Sequence, residues 1–600
     1  MFESIISHTK TSQYDFRQTA CPDDPLNHLF DEWVNYYRMK WGISHFLKPA
    51  SILEIGVRFG YSAAAFLHGH SDARYVGIDL DSDTYGGSRG AINWAKQITR
   101  QFSADFIVAD SQALDRLPGG VYDLVHIDGQ QNGDATFHDL EMAIKQARYV
   151  LVDGYLWSSI NFAAINEFLF RYRDLFDFYG VIPGYAGELL IKVADDVLKF
   201  GSDKQRSAIL SSDDIRSAYT SEYYLRDCAG FESYKGNAGK ELRDPRLQAI
   251  ASIASLKDEG RVLDIGCGRG ELTYYFAKRG FAVTAVDYSA DAIALAEKCF
   301  QGEEDLKSRV EFRQSDVSTM QLQGQYGLAT ASDVIEHLSP DELELLYREV
   351  SEHLTPGGLF VVHTFPNHWY YRYGYPRKRK IAASVGAYLP VQPRSRYELL
   401  MHINEQSPRV LKWQLSRNFR HVLVWFGDSF NPGGSLLESF NRERICTTED
   451  LFAVASNSPI DREQLEAVCQ MKPLPPMTSD AIKLVVKDCP VSARVGTVFT
   501  LALEIQNNSS FLLNSRPRFP VKISYHWIDA TTSEAIVWEG ERSDLFPPLG
   551  PGSTELYFTK VTAAERKGHH ILRTTLVQEA VQWLDQPPAM IFADAVVELR

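Results

Sequence analysis

The pattern of apolar and polar positions divides the chain into two kinds of region. Up to about residue 470, short β-branched runs alternate with longer stretches of helical periodicity such as DAIALAEKCF and DELELLYREVSEHL. This alternation is typical of a parallel sheet with crossover helices. Beyond residue 480 the apolar runs become short and alternating, as in TVFTLALEI, VKISYHW and TELYFTKV. The second pattern predicts an all-β sandwich of about seven or eight strands.

An internal repeat organises the α/β region. Residues 51–66 (SILEIGVRFGYSAAAF) and 261–276 (RVLDIGCGRGELTYYF) each combine an apolar run, an acid-Ile-Gly step, a glycine-bearing turn and a helical stretch. Three further apolar runs, each ending near an aspartate, follow in the same order in both halves; the aspartates are Asp79, Asp110 and Asp128, then Asp287, Asp316 and Asp333. We therefore expect two doubly wound α/β domains in tandem.

These patterns also give the domain boundaries. We predict a first α/β domain over residues 1–205, a second over 206–470 and an immunoglobulin-like sandwich over 481–600. Three prolines within Lys472-Pro473-Leu474-Pro475-Pro476 cannot continue a helix. Residues 471–480 are therefore predicted to form a stiff linker.

Composition limits the partners and the compartment. The 62 Lys and Arg against 77 Asp and Glu give a net charge of -15, which argues against nucleic acid because phosphate contact needs a basic surface. No apolar run reaches the roughly 18 residues that span a bilayer, and no secretion signal is recognisable. The seven cysteines are scattered and never spaced as C-x-x-C, so neither disulfides nor zinc are indicated. We expect a cytoplasmic protein and leave peripheral contact with the inner membrane open.

The strongest candidate site follows the first strand of the second domain. In Asp264-Ile265-Gly266-Cys267-Gly268-Arg269-Gly270, the glycines let the backbone turn sharply and let a ligand lie against it. A dinucleotide fold usually shows G-x-G-x-x-G, and the acid before the first glycine here argues against a pyrophosphate. A cofactor with a sulfonium and an ammonium group would tolerate that carboxylate. Asp287 can then accept both ribose hydroxyls, and Asp316 stands where an adenine amino group could be read.

At this point the second domain resembles a known family. VLDIGCGRG, VTAVDYS, QSDV, SDVIEHL and LTPGGLFVVHTFPN follow the order and spacing of class I S-adenosylmethionine-dependent methyltransferases, over roughly residues 215–460. The fold class is then α/β, with two Rossmann-like methyltransferase domains in tandem and a C-terminal all-β sandwich. The resemblance implies S-adenosylmethionine as the cofactor and the following contact residues: Asp264, Gly266, Gly268, Gly270, Asp287, Tyr288, Asp316, Val317 and Asp333.

The segment before this fold, YTSEYYLRDCAGFESYKG, resembles the corresponding segment of bacterial methyltransferases encoded with polysaccharide and O-antigen assembly. By that resemblance Tyr223 and Tyr224 cover the cofactor. The alternative is that both tyrosines pack an amphipathic helix against the core.

Methyl transfer to a hydroxyl also needs a base. Holding the reacting groups in line supplies much of the rate, and a positioned side chain removes the proton. The candidates are Glu336, His337, His363, His402 and Glu405. A Glu-His pair at this place is common in the family, so we give Glu336 and His337 a structural or cofactor-edge role. We prefer His363 with His402, because His363 ends an apolar run where an acceptor would approach the sheet.

Residues 366–420 form a basic insertion in the second domain. Between 370 and 420 there are eleven Lys and Arg against two acids, Glu398 and Glu405. One interpretation is a solvated surface that balances the acidic chain. The other is a lid that binds an anionic sugar, a phosphate or an anionic membrane surface.

The first domain carries a similar set of motif residues, with some positions altered. Glu54, Gly56, Gly60, Asp79 and Asp110 are its expected cofactor residues, and they resemble methyltransferases that act on small hydroxylated or sugar substrates, some of which use a divalent metal. In that group further acids follow the positions of Asp128 and Asp153, where this chain has Gln130 and Gly154. A magnesium site would then rest on Asp128 and Asp153 alone, too few for octahedral oxygen coordination. We expect weak cofactor binding and little turnover.

Together these inferences predict an enzyme whose second domain methylates a sugar hydroxyl on a bacterial surface glycan or its lipid-linked precursor. The expected partner is a glycan or a nucleotide- or lipid-linked sugar, with homo-oligomer formation left open. Two alternatives remain: a methyltransferase for a small molecule or lipid, and a non-catalytic glycan-binding scaffold.

Overall fold

The computed structural model describes residues 1–184, 186–194, 219–257, 260–317, 319–427 and 442–600. These residues divide into two units, which we describe separately. The first comprises residues 1–194 and 375–396, and the second comprises residues 219–374 and 397–600. No helix in the described part of the chain has both the length and the apolar character needed to cross a bilayer.

The first unit is built on a seven-stranded sheet. Its strands are β1 Ser51–Ile55, β2 Arg74–Asp79, β3 Ala104–Val108, β4 Tyr122–Ile127, β5 Ala147–Val152, β6 Phe176–Ile182 and β7 Glu188–Val193, in the order β3-β2-β1-β4-β5-β7-β6. The first five strands are parallel, and β7 runs antiparallel to β5 and β6. The α-helices are Phe2–Thr11, Phe30–Leu47, Tyr61–Gly69, Ala91–Ile98, Asp134–Ala143, Ser159–Arg171 and Tyr375–Ser384.

The second unit repeats this topology. Its strands are β8 Arg261–Ile265, β9 Ala282–Asp287, β10 Val310–Gln314, β11 Tyr326–Ser332, β12 Leu354–Thr364, β13 His421–Gly427 and β14 Asp450–Ser456, in the order β10-β9-β8-β11-β12-β14-β13. The α-helices are Ser221–Arg226, Phe231–Asn237, Pro245–Ala254, Glu271–Lys278, Ala290–Cys299, Glu304–Lys307, Pro340–His353, Arg396–Met401, Pro408–Leu415, Arg442–Thr447 and Arg462–Cys469. The tandem α/β prediction is confirmed. In both sheets the strand order reverses beside the first strand, which opens a crevice at the carboxyl ends.

A two-sheet β region follows. Its strands are β15 Ile482–Asp488, β16 Ser492–Ala493, β17 Val498–Asn507, β18 Val521–Asp529, β19 Ala535–Val537, β20 Ser543–Asp544, β21 Thr554–Thr562, β22 Gly568–Gln578, β23 Gln582–Trp583 and β24 Phe592–Leu599. One sheet is β15-β17-β21, and the other is built on β16-β24-β22-β18-β19. All pairs are antiparallel except β16 with β24. The all-β prediction is confirmed, and Trp527 and Tyr525 lie in its core.

The proline-rich segment differs from the predicted linker. Met471, Leu474 and Met477 are buried in the same cluster as Ile523 of the sandwich. The backbone N–H of Leu474 also donates to Oε1 of Gln578 (2.8 Å). The prolines end the preceding helix, but the apolar side chains between them pack as part of the C-terminal core.

The basic insertion also differs from the prediction, because residues 375–396 group with the first unit. Both Oδ atoms of Asp134 accept from Arg379 Nη2 (2.7 Å each), and Asp134 Oδ1 accepts from the Tyr388 hydroxyl (2.8 Å). The Tyr388 ring lies 5.8 Å from that of Phe137. Specific hydrogen bonds therefore hold this segment within the first unit, whereas the sequence assigned it to the second domain.

Candidate functional site

The glycine loop of the second unit has the geometry of a ligand cradle. Gly266, Gly268 and Gly270 have φ of 63°, 52° and 84°, in the left-handed region that favours glycine. A Cβ on Gly270 would lie 2.7 Å from the Cα of Ala296, so the lack of a side chain at Gly270 lets the helix Ala290–Cys299 pack against the loop. Asp287 closes the loop, because its Oδ2 accepts from the backbone N–H of Gly268 (3.0 Å). The end of β9 is thereby joined to the glycine loop, and cofactor binding by these residues stays a prediction.

The sequence predicted that the Asp264 carboxylate faces the charged groups of a cofactor, but its oxygens face protein hydroxyls. This carboxylate is buried, and its two oxygens accept hydrogen bonds from the hydroxyls of Thr273 (2.6 Å) and Thr330 (2.9 Å). Burial raises the pKa of this carboxyl to about 6. Asp264 therefore ties β8 to the helix after the loop and to β11, and both of its oxygens are engaged by protein.

An aromatic cluster lies between the Asp287 loop and the candidate bases. Tyr224 is buried against Ala292 and Leu295. Tyr223 is half-buried, and its ring lies 5.4 Å from that of Tyr219. Tyr219 was not singled out by sequence reasoning, although its ring lies 5.1 Å from Tyr288 and 5.7 Å from His337. Tyr219 lies just before the short helix Ser221–Arg226, and no sequence motif around it indicated a place near the site.

Asp316 and Val317 follow β10 directly. Asp316 is half-buried in the loop at the carboxyl edge of the sheet, and its backbone oxygen accepts from Thr319. Val317 packs against the cluster that contains Ile335 and Met320. Both residues are thus at the expected edge.

Asp333 is held in a buried ionic group. It accepts from Arg246 and lies 2.8 Å (Oδ1) from Nδ1 of His363, whose Nε2 lies 3.7 Å from Asp450 Oδ2. Burial alone would lower the pKa of His363, but Asp333 and Asp450 raise it to about 10. His363 is therefore protonated near neutral pH and has no lone pair available to take a proton. Arg246 and Asp450 come from distant segments and were missed by sequence reasoning.

The remaining candidate bases meet in a second group. The rings of His337 and His402 lie 4.8 Å apart, and His402 Nδ1 lies 3.9 Å from Oε1 of Glu405. His337 donates from Nδ1 to the carbonyl oxygen of Met401 (3.2 Å), which leaves its Nε2 as the acceptor. Burial and the neighbouring His402 lower the pKa of His337 to about 3, so this imidazole is neutral. Glu336 is buried beside them, and burial raises its pKa to about 8.

The loop of the first unit is closed in the same way as that of the second. Oδ2 of Asp79 accepts from the backbone N–H groups of Val57 (2.7 Å) and Arg58 (2.8 Å). Gly56 and Gly60 have φ of 87° and 79°. A Cβ on Gly60 would lie 2.5 Å from the Cβ of Ala95, so the next helix approaches as in the second unit. Glu54, like Asp264, is buried and engaged, here by Ser62, Tyr75 and His126.

A cavity of about 690 Å³ opens from this loop. The cavity is lined by three of the expected cofactor residues, Gly56, Asp79 and Asp110. Polar and aromatic side chains complete the lining, among them Asp128, Gln131, Asp153, Trp33, Tyr36, Tyr37 and Trp157. Asp110 also caps a short 3-10 helix, with Oδ1 accepting from the backbone N–H of Gln112 (3.0 Å). The cavity therefore extends from the glycine loop to the polar and aromatic side chains of the first unit.

The proposed metal ligands of the first unit stand beside a buried lysine. Nζ of Lys40 lies 3.0 Å from Glu188 Oε1, 3.8 Å from Asp153 Oδ1 and 2.7 Å from His126 Nε2. Burial would raise the pKa of Asp153, but Lys40 holds it well below the usual range. Burial and Asp153 raise the pKa of Asp128. Lys40 lies on the helix Phe30–Leu47, and no motif around it indicated this role.

Two groups of described residues bring metal-ligand atoms within 4.8 Å of one another: Glu336, His337 and His402, and Glu54, His126 and Asp128. In the second group Lys40 occupies Nε2 of His126 and Glu54 occupies its Nδ1. The residues present in the first unit therefore do not fit a divalent metal.

Comparison with known families agrees with this geometry. Residues 262–358 match a family model described as "Methyltransferase domain", and residues 53–152 match a second family model with the same description. Each unit therefore contains one stretch that matches a methyltransferase domain model.

Curated relatives align with part of the chain. An (S)-coclaurine N-methyltransferase of Thalictrum flavum subsp. glaucum is 32% identical over 164 residues, which is 24% of this chain and 44% of that protein. The cyclopropane-fatty-acyl-phospholipid synthase of Escherichia coli (strain K12) is 28% identical over 142 residues, 24% and 33% of the two chains. Among solved structures, a glycopeptide N-methyltransferase MtfA complexed with sinefungin shares 19% identity over 36% of this chain and 88% of its own, with a TM-score of 0.26. The chain spans less than half the length of these curated relatives.

Proposed function

We propose that the second domain transfers the methyl group of S-adenosylmethionine to a hydroxyl group of a sugar, on a surface glycan or its lipid-linked precursor. The observation that carries the proposal is the loop of Gly266, Gly268 and Gly270, closed by Asp287 and followed by a half-buried imidazole pair. A close cradle for the cofactor and a proton acceptor are the two parts that such a transfer needs.

The cofactor, when bound, supplies a methyl group activated on a sulfonium. Asp287 accepts backbone N–H groups of Gly268 (3.0 Å) and Ser289 (2.9 Å) on different oxygens, and a carboxylate with about four lone-pair sites can still accept from a ribose hydroxyl. Tyr219, Tyr223 and Tyr288 supply the aromatic wall next to the loop. Asp264 does not contact the cofactor in this proposal; its hydrogen bonds to Thr273 and Thr330 hold the loop in shape.

In this proposal the His337–His402 pair takes the proton of the acceptor, with His402 as the base, because a pKa of about 3 leaves His337 a weak one. His337 is neutral, and its tautomer is set by the bond to Met401. Glu405 lies close enough to stabilise a proton on His402. His363, our first choice from the sequence, carries a charge between two aspartates and becomes a positioning residue for Asp333.

An experiment must determine whether the methyl acceptor is a glycan, a lipid or a small molecule. Named relatives include a coclaurine N-methyltransferase and a lipid-modifying synthase, so a small-molecule or lipid acceptor is the competing candidate. The full chain is incubated with S-adenosylmethionine labelled in the methyl group and with glycan, lipid and small-molecule fractions of cells that lack the protein. We expect label in the glycan fraction as alkali-stable methyl ethers. Label in the lipid or amine fraction would overturn the sugar assignment, and binding without any transfer would favour a scaffold.

A further inference from the structure

A basic segment of the first unit presents charge to solvent that the proposed function does not use. Residues 375–396 carry six Lys and Arg and no Asp or Glu, in a chain whose net charge is -15. Arg377, Lys378 and Lys380 are exposed on the helix Tyr375–Ser384. Within the described residues, Arg377 and Lys380 have no carboxylate partner. Positive charge therefore stands unneutralised on this part of an acidic protein.

The opposite face of the same helix is fixed to the unit. Arg379 donates from Nη2 to both oxygens of Asp134 (2.7 Å each) and from Nε to the carbonyl oxygen of Leu389 (2.8 Å). The Tyr375 hydroxyl donates to the carbonyl oxygen of Pro390 (2.9 Å). Because the segment is folded back on itself and held from behind, its outward side chains keep a fixed arrangement.

Aliphatic side chains are exposed beside these charges. Ile381 follows Arg377 by four positions, which places the two side chains on one face of the helix. Ile381 is 57% exposed, and Val385, just after the helix, is 76% exposed. A single exposed aliphatic side chain is ordinary, but a cluster next to basic residues is typical of an interaction surface. Arg377, Lys378, Lys380, Ile381 and Val385 together are called the docking surface below.

The helix Ser159–Arg171 extends the same chemistry next to the segment. Nη1 of Arg171 donates to the carbonyl oxygen of Gln392 (2.9 Å), so the end of this helix packs against the segment. Phe170 is 68% exposed, and the guanidinium of Arg173 lies 5.2 Å from the centre of its ring. An exposed aromatic ring and a basic side chain therefore also occur beside residues 375–396.

We propose that the docking surface binds the anionic face of a lipid bilayer. Lysine and arginine are attracted to the negative surface of such a bilayer, and apolar side chains enter the boundary between its headgroups and acyl chains. A nucleic acid would attract the same charges, but its phosphate backbone offers no apolar region for Ile381 and Val385. Since the chain as a whole is acidic, the attraction is confined to this surface and orients the protein.

The first test is sedimentation of the full chain with vesicles. We expect binding to vesicles of phosphatidylcholine and phosphatidylglycerol in equal parts, weaker binding as salt is added, and none to phosphatidylcholine alone. Arg377→Glu with Lys380→Glu should lower the partition coefficient about tenfold or more. Lys96→Glu with Arg100→Glu changes the net charge equally at exposed positions at and just after the helix Ala91–Ile98 and should have little effect. If both pairs lose binding equally, or if both vesicles bind equally, the inference is wrong.

The second test separates a bilayer from another polyanion. Ile381→Ser with Val385→Ser keeps every charge and should weaken binding to the anionic vesicles, with calorimetric unfolding unchanged because both side chains are exposed. A duplex DNA is the competing probe. If the protein binds this DNA and the serine variant binds DNA and vesicles as well as the parent does, the surface recognises polyanions and the bilayer assignment is wrong.

The third test locates the contact by hydroxyl-radical footprinting of the parent protein. Anionic vesicles should lower the oxidation of Ile381 and Val385. Tyr85, which is exposed on a different loop of the unit, should be oxidised to the same extent with and without vesicles. Protection of Tyr85 without protection of Ile381 and Val385 would place the bilayer against another face and overturn the proposal.

Discussion

Nδ1 of His363 lies 2.8 Å from Oδ1 of Asp333, and Nε2 of the same ring lies 3.7 Å from Asp450 on the neighbouring strand. The imidazolium thus joins the end of β11 to the end of β14 through β12. Since Asp333 also accepts from Arg246, the group is a small buried charge network. Its integrity depends on the charge of His363.

This charge makes the stability of the protein dependent on pH. The folded pKa of His363 is raised to about 10 from an ordinary 6.5, so its contribution is complete below about pH 6.5 and is lost as the pH rises towards 10. His363→Gln should cost about 3 kcal/mol at pH 6, typical of an uncompensated buried charge, and less at pH 9.5. Calorimetric unfolding at both pH values measures this. The half-buried His353→Gln is the control, and an equal loss at both values would contradict the assignment.

Asp287 and Asp264 should behave differently. Asp287→Ala is expected to weaken S-adenosylmethionine binding by about 1.5–3 kcal/mol, the range for hydrogen bonds to a charged group. Asp264→Asn should leave binding nearly unchanged but lower the unfolding temperature, because the amide keeps only one acceptor oxygen for the hydroxyls of Thr273 and Thr330. Isothermal titration and calorimetry on the same samples separate the effects. Unchanged affinity in a folded Asp287→Ala protein would remove Asp287 from the cofactor site.

The imidazole pair should control turnover and leave cofactor binding alone. His337→Ala and His402→Ala are each expected to lower kcat about 10²-fold or more, as for loss of a general base. The Kd of S-adenosylmethionine should stay the same, because both residues lie beyond the loop. His363→Gln serves as the comparison, with a smaller loss in kcat. If His363→Gln alone abolishes turnover while His337→Ala and His402→Ala stay active, His363 is the base and the imidazole pair is not.

We expect the second domain to catalyse methyl transfer and the first domain to contribute little turnover. We expect Asp287→Ala to abolish methyl transfer and Asp79→Ala to preserve most of it, with no effect of EDTA on either. Product analysis by mass spectrometry on both variants decides this. A distinct methylated product that disappears in Asp79→Ala would make the first domain an enzyme in its own right, because its loop is closed by Asp79 in the same way.

The segment 375–396 should depend on Asp134. Asp134→Ala removes the acceptor of Arg379 and Tyr388 and should destabilise the first unit by about 1–3 kcal/mol. Asp105→Ala, exposed on the same unit, should have little effect. Limited proteolysis within 375–396 and calorimetry measure the change. Equal protection in both variants would show that other contacts hold the segment.

The sequence alone determined the two α/β domains, the sandwich and the position of the two glycine loops. These features are local: an apolar run, an acid and glycines at set spacing describe the backbone of a few consecutive residues, and the same order occurs twice. Gly268 and Asp287 could be paired in advance because neighbouring parallel strands end at the same edge.

Only the tertiary structure decided what each charged side chain meets. Lys40 reaches His126 across 86 positions, and Arg379 reaches Asp134 across 245. His363 was chosen as a base from its place on a strand, and its partners Arg246 and Asp450 come from other segments. The state of a buried ionisable group depends on the charges within a few ångströms of it, and folding brings those charges together from parts of the chain whose separation in sequence carries no such information.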